Sequence, residues 1–77
     1  MINSTTPPTP PDIRLKLGQN LKRHRRKKRL TQSELASASG IDRSYISDVE
    51  RGVGNPTVLV VQQLAEALGI SPALLLA

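Results

Sequence analysis

Several side chains that could make directed hydrogen bonds to a planar partner lie close together in one short segment, residues 42–51. Arg43 offers a rigid fork of N–H donors, Ser44 and Ser47 offer small hydroxyls, and Arg51 ends the segment. An arginine fork matches the O6 and N7 acceptors of guanine, and this pairing gives about 1–3 kcal/mol of discrimination between bases. The segment is therefore a candidate base-reading surface led by Arg43. The alternative for each of these residues is a solvated helix face.

Three further side chains are candidates for contacts with duplex DNA. Tyr45 is the only aromatic residue, and it either touches a thymine methyl group or packs on the flank of the core. Gln32 falls in the first turn of a predicted helix, where it either helps to bind a phosphate or caps the helix. Asn55 either binds a backbone phosphate or forms a turn.

The composition excludes most catalytic and metal-binding chemistry. The chain has no cysteine and one histidine, His24, so it lacks the ligands of a disulfide framework or a zinc finger. It also lacks a serine, histidine and aspartate set, a glycine loop for phosphates and a carboxylate pair suited to a cleft. We expect no enzyme activity, no metal and no cofactor.

The apolar spacing predicts the first element that supports the polar segment. Ile13, Leu17 and Leu21 recur every fourth residue, which predicts a buried stripe on a helix running from about residue 12 to 28. Residues 1–11 (MINSTTPPTPP) form a threonine- and proline-rich tract that cannot hold a helix. We expect a disordered arm over residues 1–11 and one folded domain over residues 12–77.

Capping residues delimit two short helices around a tight turn. Thr31 and Glu34 fit a capping box that starts a second helix, and Gly40 can end it in a left-handed conformation. Asp42 is a suitable N-cap for a third helix that ends at Gly52. Two short helices joined by a glycine-containing turn predict a helix-turn-helix, with the second helix entering the major groove.

Two more helices complete an all-α fold of five helices. Thr57 and Gly69 can start and end the fourth, and Ser71 with Pro72 starts the fifth. The helical spacing outweighs the β-propensity of residues 58–61. The fourth helix is expected to bury Val58, Val61, Leu64, Ala65 and Leu68.

The remaining apolar residues of the last two helices predict self-association. Leu59 and Val60 are expected nearer the surface, and Leu74 adds apolar area, which together suggest an interface. A homodimer through the fourth and fifth helices would present two reading helices to half-sites about 34–36 Å apart. The alternative is that these side chains complete the core.

A buried arginine on the first helix requires an acidic partner. The progression Leu17, Leu21, Arg25 carries Arg25 toward the buried stripe, where an unpaired charge is costly. Glu50 lies beside Ile46 on the buried side of the third helix. We predict an Arg25–Glu50 ion pair that ties the first helix to the reading helix.

The charge of the chain favours an anionic partner. Its net charge is +5, and nucleic acid is the commonest partner of a small basic domain. The alternative is a solvated basic surface without a specific partner. The basic run 22–29 faces all sides of the first helix, so we assign it a general role in steering and salt-sensitive affinity. The chain has neither an apolar run long enough for a membrane nor a signal sequence, and we expect a cytoplasmic protein.

Four segments resemble the phage-repressor and Cro-like helix-turn-helix family. They are residues 30–41 (LTQSELASASGI), 44–52 (SYISDVERG), 55–57 (NPT) and 64–70 (LAEALGI), and the likeness covers about residues 17–76. The resemblance implies that Gln32 binds phosphate, that Arg43 and Ser44 read bases, and that Arg25 and Glu50 pair internally.

Residues 42–45 and Asn55 are especially similar to restriction-modification controller proteins. That likeness implies dimers that bind paired operators in double-stranded DNA and activate or repress, with RNA polymerase as an expected contact. Asp48 departs from what a groove-facing helix favours, because its charge repels phosphate. The alternative function is an antitoxin or adaptor that uses the same fold to bind a protein.

Overall fold

The structure is a computed structural model that describes residues 12–77, so the arm expected over residues 1–11 lies outside the described residues. Within 12–77 the chain forms five α-helices and no strand. The helices are α1 (Ile13–Lys27), α2 (Gln32–Ser39), α3 (Arg43–Glu50), α4 (Val58–Leu68) and α5 (Pro72–Leu76). The all-α fold class predicted from the sequence is confirmed. In this part of the chain, no helix combines the length and the apolar character needed to cross a bilayer.

Side-chain caps set the starts of the helices. The Thr31 hydroxyl accepts from the Glu34 amide at 3.0 Å, while the Glu34 carboxylate accepts from the Thr31 amide at 2.8 Å. Thr57 caps α4 by accepting from the amide of Val60 at 3.2 Å. Because a cap of this kind stabilises a helix by about 1 kcal/mol, short helices gain clear starting points from local sequence.

α1 is the central helix of the fold. It packs against α3 and α5, while α2 packs against α3 and α4, and α4 closes the core against α5. One apolar core lies between the helices and consists of Leu17, Leu21, Leu35, Ile41, Ile46, Val49, Val61, Leu64, Ala65, Leu68 and Leu75. The position of α3 is therefore set mainly by α1 and α2.

Gly18 allows the backbones of α1 and α3 to approach closely. A Cβ atom at this position would lie 2.4 Å from the carbonyl oxygen of Val49 and 2.7 Å from that of Glu50. Real Cβ atoms do not come this close to backbone oxygens, so only glycine fits without moving α3. Glycine inside a helix is otherwise unfavourable by about 0.5–1 kcal/mol relative to alanine, and the close packing explains its presence here.

Asn20 fastens the last helix to α1. Its side chain is buried, and Nδ2 donates to the carbonyl oxygens of Leu75 at 2.9 Å and Ala77 at 3.1 Å. These carbonyls lie at the C-terminal end of α5, where a helix has no backbone partner of its own. The buried amide thus satisfies the end of α5 and fixes that helix against α1.

Three apolar residues do not lie where the spacing predicted. Ile13 is 59% exposed and Val58 is 80% exposed, although both were expected to face the core. Each begins its helix, and the neighbouring helices do not cover these first turns. Val60, expected nearer the surface, is half-buried and packs against the core. α4 contacts α1, α2 and α5, so its buried strip is wider than a single helical stripe.

Replacing Gly18 tests the close approach of α1 and α3. We expect Gly18→Ala to lower the free energy of unfolding by about 1–3 kcal/mol, because the added methyl group must push α3 away despite the better helix propensity of alanine. Gln19→Ala, at the exposed neighbouring position, should stay within about 0.5 kcal/mol of the parent. Urea unfolding followed by circular dichroism measures both. Equal stability of the two variants would contradict the close packing.

Candidate nucleic-acid interface

α2 and α3 are joined by a turn of three residues, Gly40, Ile41 and Asp42. Gly40 is left-handed with φ of +76°, and nothing lies within 4 Å of a Cβ placed there, so backbone conformation is what requires glycine. Ile41 anchors the turn in the core. Asp42 then starts α3, its carboxylate accepting from the Ser44 amide at 3.0 Å. The arrangement is a helix-turn-helix, as the sequence predicted.

α3 has one buried face and one exposed polar face. Ile46 and Val49 are buried in the core. Arg43 and Ser44 are exposed at the start of the helix, while Ser47, in its middle, is half-buried. A face of small and polar side chains lets a helix lie deep in a major groove, which is about 12 Å wide.

The first turn of α3 holds its acidic cap in place. The hydroxyl of Ser44, like its amide, donates to the Asp42 carboxylate. These two hydrogen bonds, ahead of the charge of Arg43, lower the pKa of Asp42 below its ordinary value. Asp42 is thus ionised at neutral pH, and the Ser44 hydroxyl keeps its oxygen lone pairs for an incoming donor.

Arg51 lies at the other end of the exposed face and is paired within the helix. Its Nη2 donates to Oδ1 of Asp48 at 2.5 Å, and both side chains remain partly exposed. Asp48, the residue that departs from a typical groove-facing helix, is therefore engaged with a cation. The exposed face of α3 therefore carries hydroxyl, acidic and basic groups.

Arg25 and Glu50 form the ion pair that the helical spacing predicts. Nε and Nη2 of Arg25 donate to the two carboxylate oxygens at 2.6 and 2.9 Å, and the side chains are only 11% and 4% exposed. Nη1 of Arg25 donates to the carbonyl oxygen of Leu30 at 2.8 Å. Gln32 joins the cluster, because its Nε2 donates to Oε1 of Glu50 at 3.1 Å. The cluster thus connects α1, α2, α3 and the loop before α2.

The environment of Glu50 determines its charge state. Burial acts to raise the pKa of Glu50, but hydrogen bonds from Arg25 and Gln32, with the charges of Arg25 and Lys22, outweigh it and lower the pKa. The same hydrogen bond raises the pKa of Arg25 against its own burial. Both groups are therefore charged at neutral pH, and the pair is fully ionic.

The two remaining candidates occupy different surroundings. Tyr45 is half-buried and packs against the core. This position favours core packing, one of the two roles considered for Tyr45 from the sequence. Asn55 is exposed in the loop between α3 and α4. This loop is held near the start of α1 by Arg14, whose Nη1 donates to the carbonyl oxygen of Gly54 at 3.4 Å.

The outer face of α1 is densely cationic. Gln19, Lys22, Arg23, Arg26 and Lys27 border one open depression on it. Burial, together with the charges of Arg23 and Lys27, lowers the pKa of nearby His24, so His24 adds little charge at neutral pH. Within residues 12–77, no group of histidine, cysteine or acidic side chains is arranged to hold a metal ion.

A helix-turn-helix family model (HTH_3) matches residues 21–75. The chain belongs to the helix-turn-helix family. An uncharacterised HTH-type transcriptional regulator of Sinorhizobium fredii, y4dJ, is 48% identical over 60 residues, covering 78% of each chain. The family predicted from the sequence is thus confirmed.

Two solved structures extend the comparison. The controller protein C.AhdI from Aeromonas hydrophila superposes with a TM-score of 0.78 and 45% identity, covering 80% of this chain and 94% of that one. The biofilm regulator SinR, solved in complex with DNA, superposes with a TM-score of 0.75 and 34% identity, covering 79% and 98%. These relatives are named for regulation rather than catalysis, which agrees with the expectation that this helix-turn-helix protein is not an enzyme.

Sequence reasoning missed Asn20 and Gly18, which hold the flanking helices on α1. Gly18 carried a signal, because a glycine inside a helical pattern often marks a close contact. Asn20 is a polar residue three positions after Leu17, beside the buried stripe, and nothing in the spacing identifies its partners at the C-terminal end of α5. Both residues act on the position of helices rather than on the exposed face of α3.

Replacing Glu50 tests the ion pair. Glu50→Ala should lower the free energy of unfolding by about 3 kcal/mol or more, because it leaves Arg25 buried without a counter-ion. Glu50→Gln keeps the shape and should cost less. Urea unfolding at neutral pH measures both, and Glu66→Gln, at an exposed position, is the charge-matched control. Full stability of Glu50→Ala would refute the pairing.

Acid should remove the difference in stability between the parent and Glu50→Gln. The pKa of Glu50 is lowered in the folded state, so its contribution is complete above the ordinary value of 4.5 and is lost as pH falls through the lowered pKa. The difference in free energy of unfolding between the two proteins should therefore shrink below pH 4.5. A difference that stays constant into acid would contradict the assignment.

Proposed function

We propose that this chain is a transcriptional regulator that binds an inverted-repeat operator as a homodimer, with α3 in the major groove of each half-site. The observation that carries the proposal is the exposed polar face of α3, held on a helix-turn-helix by a buried ion pair. Membership of the helix-turn-helix family and the likeness to SinR, which was solved in complex with DNA, support it. The net charge of +5 suits a polyanionic partner.

The start of α3 is the part we assign to base reading. Arg43 is the first residue of the helix and Ser44 the second, and the N-terminal residues of a recognition helix contact base edges. Arg43 has no acid held against it by a hydrogen bond within the described chain, so its fork is free for O6 and N7 of guanine. The Ser44 hydroxyl, which donates to Asp42, offers its lone pairs to a donor on a base edge, and Ser47 adds a hydroxyl that suits a base edge or a phosphate.

The start of α2 is assigned to the DNA backbone. The capping box uses the amides of Thr31 and Glu34, which leaves the amides of Gln32 and Ser33 directed out of the helix without an intrahelical partner. Such amides bind phosphate well because of the helix dipole. The side chain of Gln32 is steadied by Glu50 and retains a second N–H. Asn55 is proposed as a further phosphate contact.

The dimer interface is proposed on the apolar surface of α4 and α5. Leu59 and Leu74 are largely exposed, whereas Val60 is half-buried in the core and contributes less. Val58 adds to this surface, bordering a groove of about 200 Å³ with Ile13 and Leu76. Residues of α1, α4 and α5 line the groove together with Asn55 and Pro56 of the loop before α4, and none of its lining residues belongs to α3.

Two further proposals concern the compartment of the protein and its contact with RNA polymerase. We propose that the protein acts in the cytoplasm, where the DNA of its bacterial relatives lies. Contact with RNA polymerase would follow if the protein activates transcription, as the likeness to controller proteins implies. Repression requires only that the operator is occupied.

Selection of bound duplexes from a random pool tests the proposed function directly. An inverted repeat with half-site centres about one helical turn apart, or a multiple of it, is the expected result. Affinity for the selected repeat should fall steeply between low and moderate salt, because bound phosphates release counterions. Failure to enrich any duplex at modest ionic strength would reject the proposal. Salt-insensitive capture of a protein partner instead would favour the antitoxin or adaptor alternative.

Arg43→Ala should remove a base preference without unfolding the protein. The exposed side chain contributes little to the core, so the melting temperature should hardly change. Discrimination at one guanine of each half-site should fall by about 1–3 kcal/mol. Binding titrations with the selected repeat and single-base variants measure this. A uniform loss across all duplexes would show a phosphate contact instead.

Leu59→Glu should convert the dimer to a monomer. Leu59 is 69% exposed, so the substitution spares the core but places charges against each other across the proposed interface. Sedimentation at tens of micromolar measures the mass of the particle, and Ser37→Glu on the exposed surface of α2 is the control. A parent protein that is monomeric with and without operator would exclude the dimer.

A further inference from the structure

The acidic residue on the exposed face of α3 has no role in the function proposed above. Asp48 lies one turn after Ser44, and its side chain is 45% exposed. A carboxylate on a surface that approaches DNA opposes binding, because it repels the phosphates that dominate affinity. Its position therefore suggests a role other than binding to the DNA backbone.

Asp48 and Arg51 lie together on the side of α3 that points away from the core. They are three residues apart, so their side chains are neighbours on the helix surface. The buried residues Ile46 and Val49 lie on the opposite side. The hydrogen bond joins Nη2 of Arg51 to Oδ1 of Asp48, and the guanidinium has further N–H donors outside that contact.

We propose that Asp48 is a specificity-determining residue, which holds the Arg51 guanidinium in the direction needed to read a guanine. The proposal rests on the proposed function, because it requires α3 in the major groove. Pairing within the helix restricts the rotamers of a long exposed side chain before DNA arrives. Less conformational freedom is then lost when the guanidinium meets a base edge.

The carboxylate favours a base over a phosphate as the partner of Arg51. A phosphate bound to Arg51 would place a second anion close to Asp48, and the two negative charges would repel each other. The edge of guanine is uncharged and offers two acceptors to an arginine fork. The ion pair therefore rejects phosphate at this point and accepts guanine.

The position of Arg51 predicts which base pair is affected. Arg51 lies seven residues beyond Ser44, which corresponds to about 10 Å along the helix axis. With base pairs spaced by about 3.4 Å, this distance spans at most about three base pairs, the value reached when the helix axis runs along the groove. The guanine assigned to Arg51 should thus lie within about three positions of those read by Arg43 and Ser44 in the same half-site, and at a different position from them.

Random-pool selection with matched variants tests the proposal. The proteins are the parent, Asp48→Asn, Arg51→Ala, the double variant and Asp12→Asn. Asp12 also pairs with an exposed arginine, Arg14, but it lies at the start of α1. Asparagine remains a good N-cap, so Asp12→Asn removes the same charge and an equivalent pair away from α3. Thermal melting by circular dichroism establishes that each variant is folded.

The expected result is a position-specific change. The parent should prefer guanine at the position assigned to Arg51 by about five- to 150-fold, and Arg51→Ala should abolish that preference. Asp48→Asn should reduce the preference several-fold while binding unrelated DNA more tightly, and it should have no further effect at that position when combined with Arg51→Ala. Asp12→Asn should change affinity equally for all duplexes.

Two results would overturn the proposal while leaving the proposed function intact. One is an Asp48→Asn selection that keeps every base preference and changes affinity only as Asp12→Asn does. The other is an Arg51→Ala variant that loses affinity equally on all sequences, as a phosphate contact would. A parent protein that enriches no repeat would overturn both proposals together.

Discussion

The buried ion pair of Arg25 and Glu50 is the interaction on which the exposed face of α3 depends. Two charges with side chains only 11% and 4% exposed are stable only when each is matched by charge and hydrogen bonds. The pair therefore specifies one relative placement of α1 and α3, since any shift leaves a charge unpaired. Gln32 and the carbonyl oxygen of Leu30 complete the cluster, so α2 is held in the same arrangement.

The sequence predicted those features of the fold that depend on local chemistry. Thr31 with Glu34, Asp42 and Thr57 each identify a helix start, because a cap and its partner lie within three residues of each other. The Arg25–Glu50 pair was also predictable, although it spans distant residues, because burial by helical spacing left Arg25 in need of an acid. The prediction succeeded because Glu50 was the acid expected on the buried side of the third helix.

Features that depend on how far a neighbouring helix extends were not predictable. Ile13 and Val58 have the right spacing for the core, yet no helix covers them. Asn20 gave no sign of the carbonyl oxygens it binds, because these belong to a helix more than fifty residues away. At the candidate site, the sequence singled out Arg51 as a candidate contact and Asp48 as unusual but did not reveal that they contact each other.

Asn20 and Gly18 position two different helices against α1. The amide of Asn20 binds the end of α5. Two residues earlier on the same helix, Gly18 lacks a side chain and so allows α3 to pack closely. In the proposed dimer, the distance between the two α3 helices would then depend on α1, which carries both contacts, rather than on the loops. Substitutions at these two positions of α1 would then change the half-site spacing that the proposed dimer accepts, without altering the residues assigned to base reading.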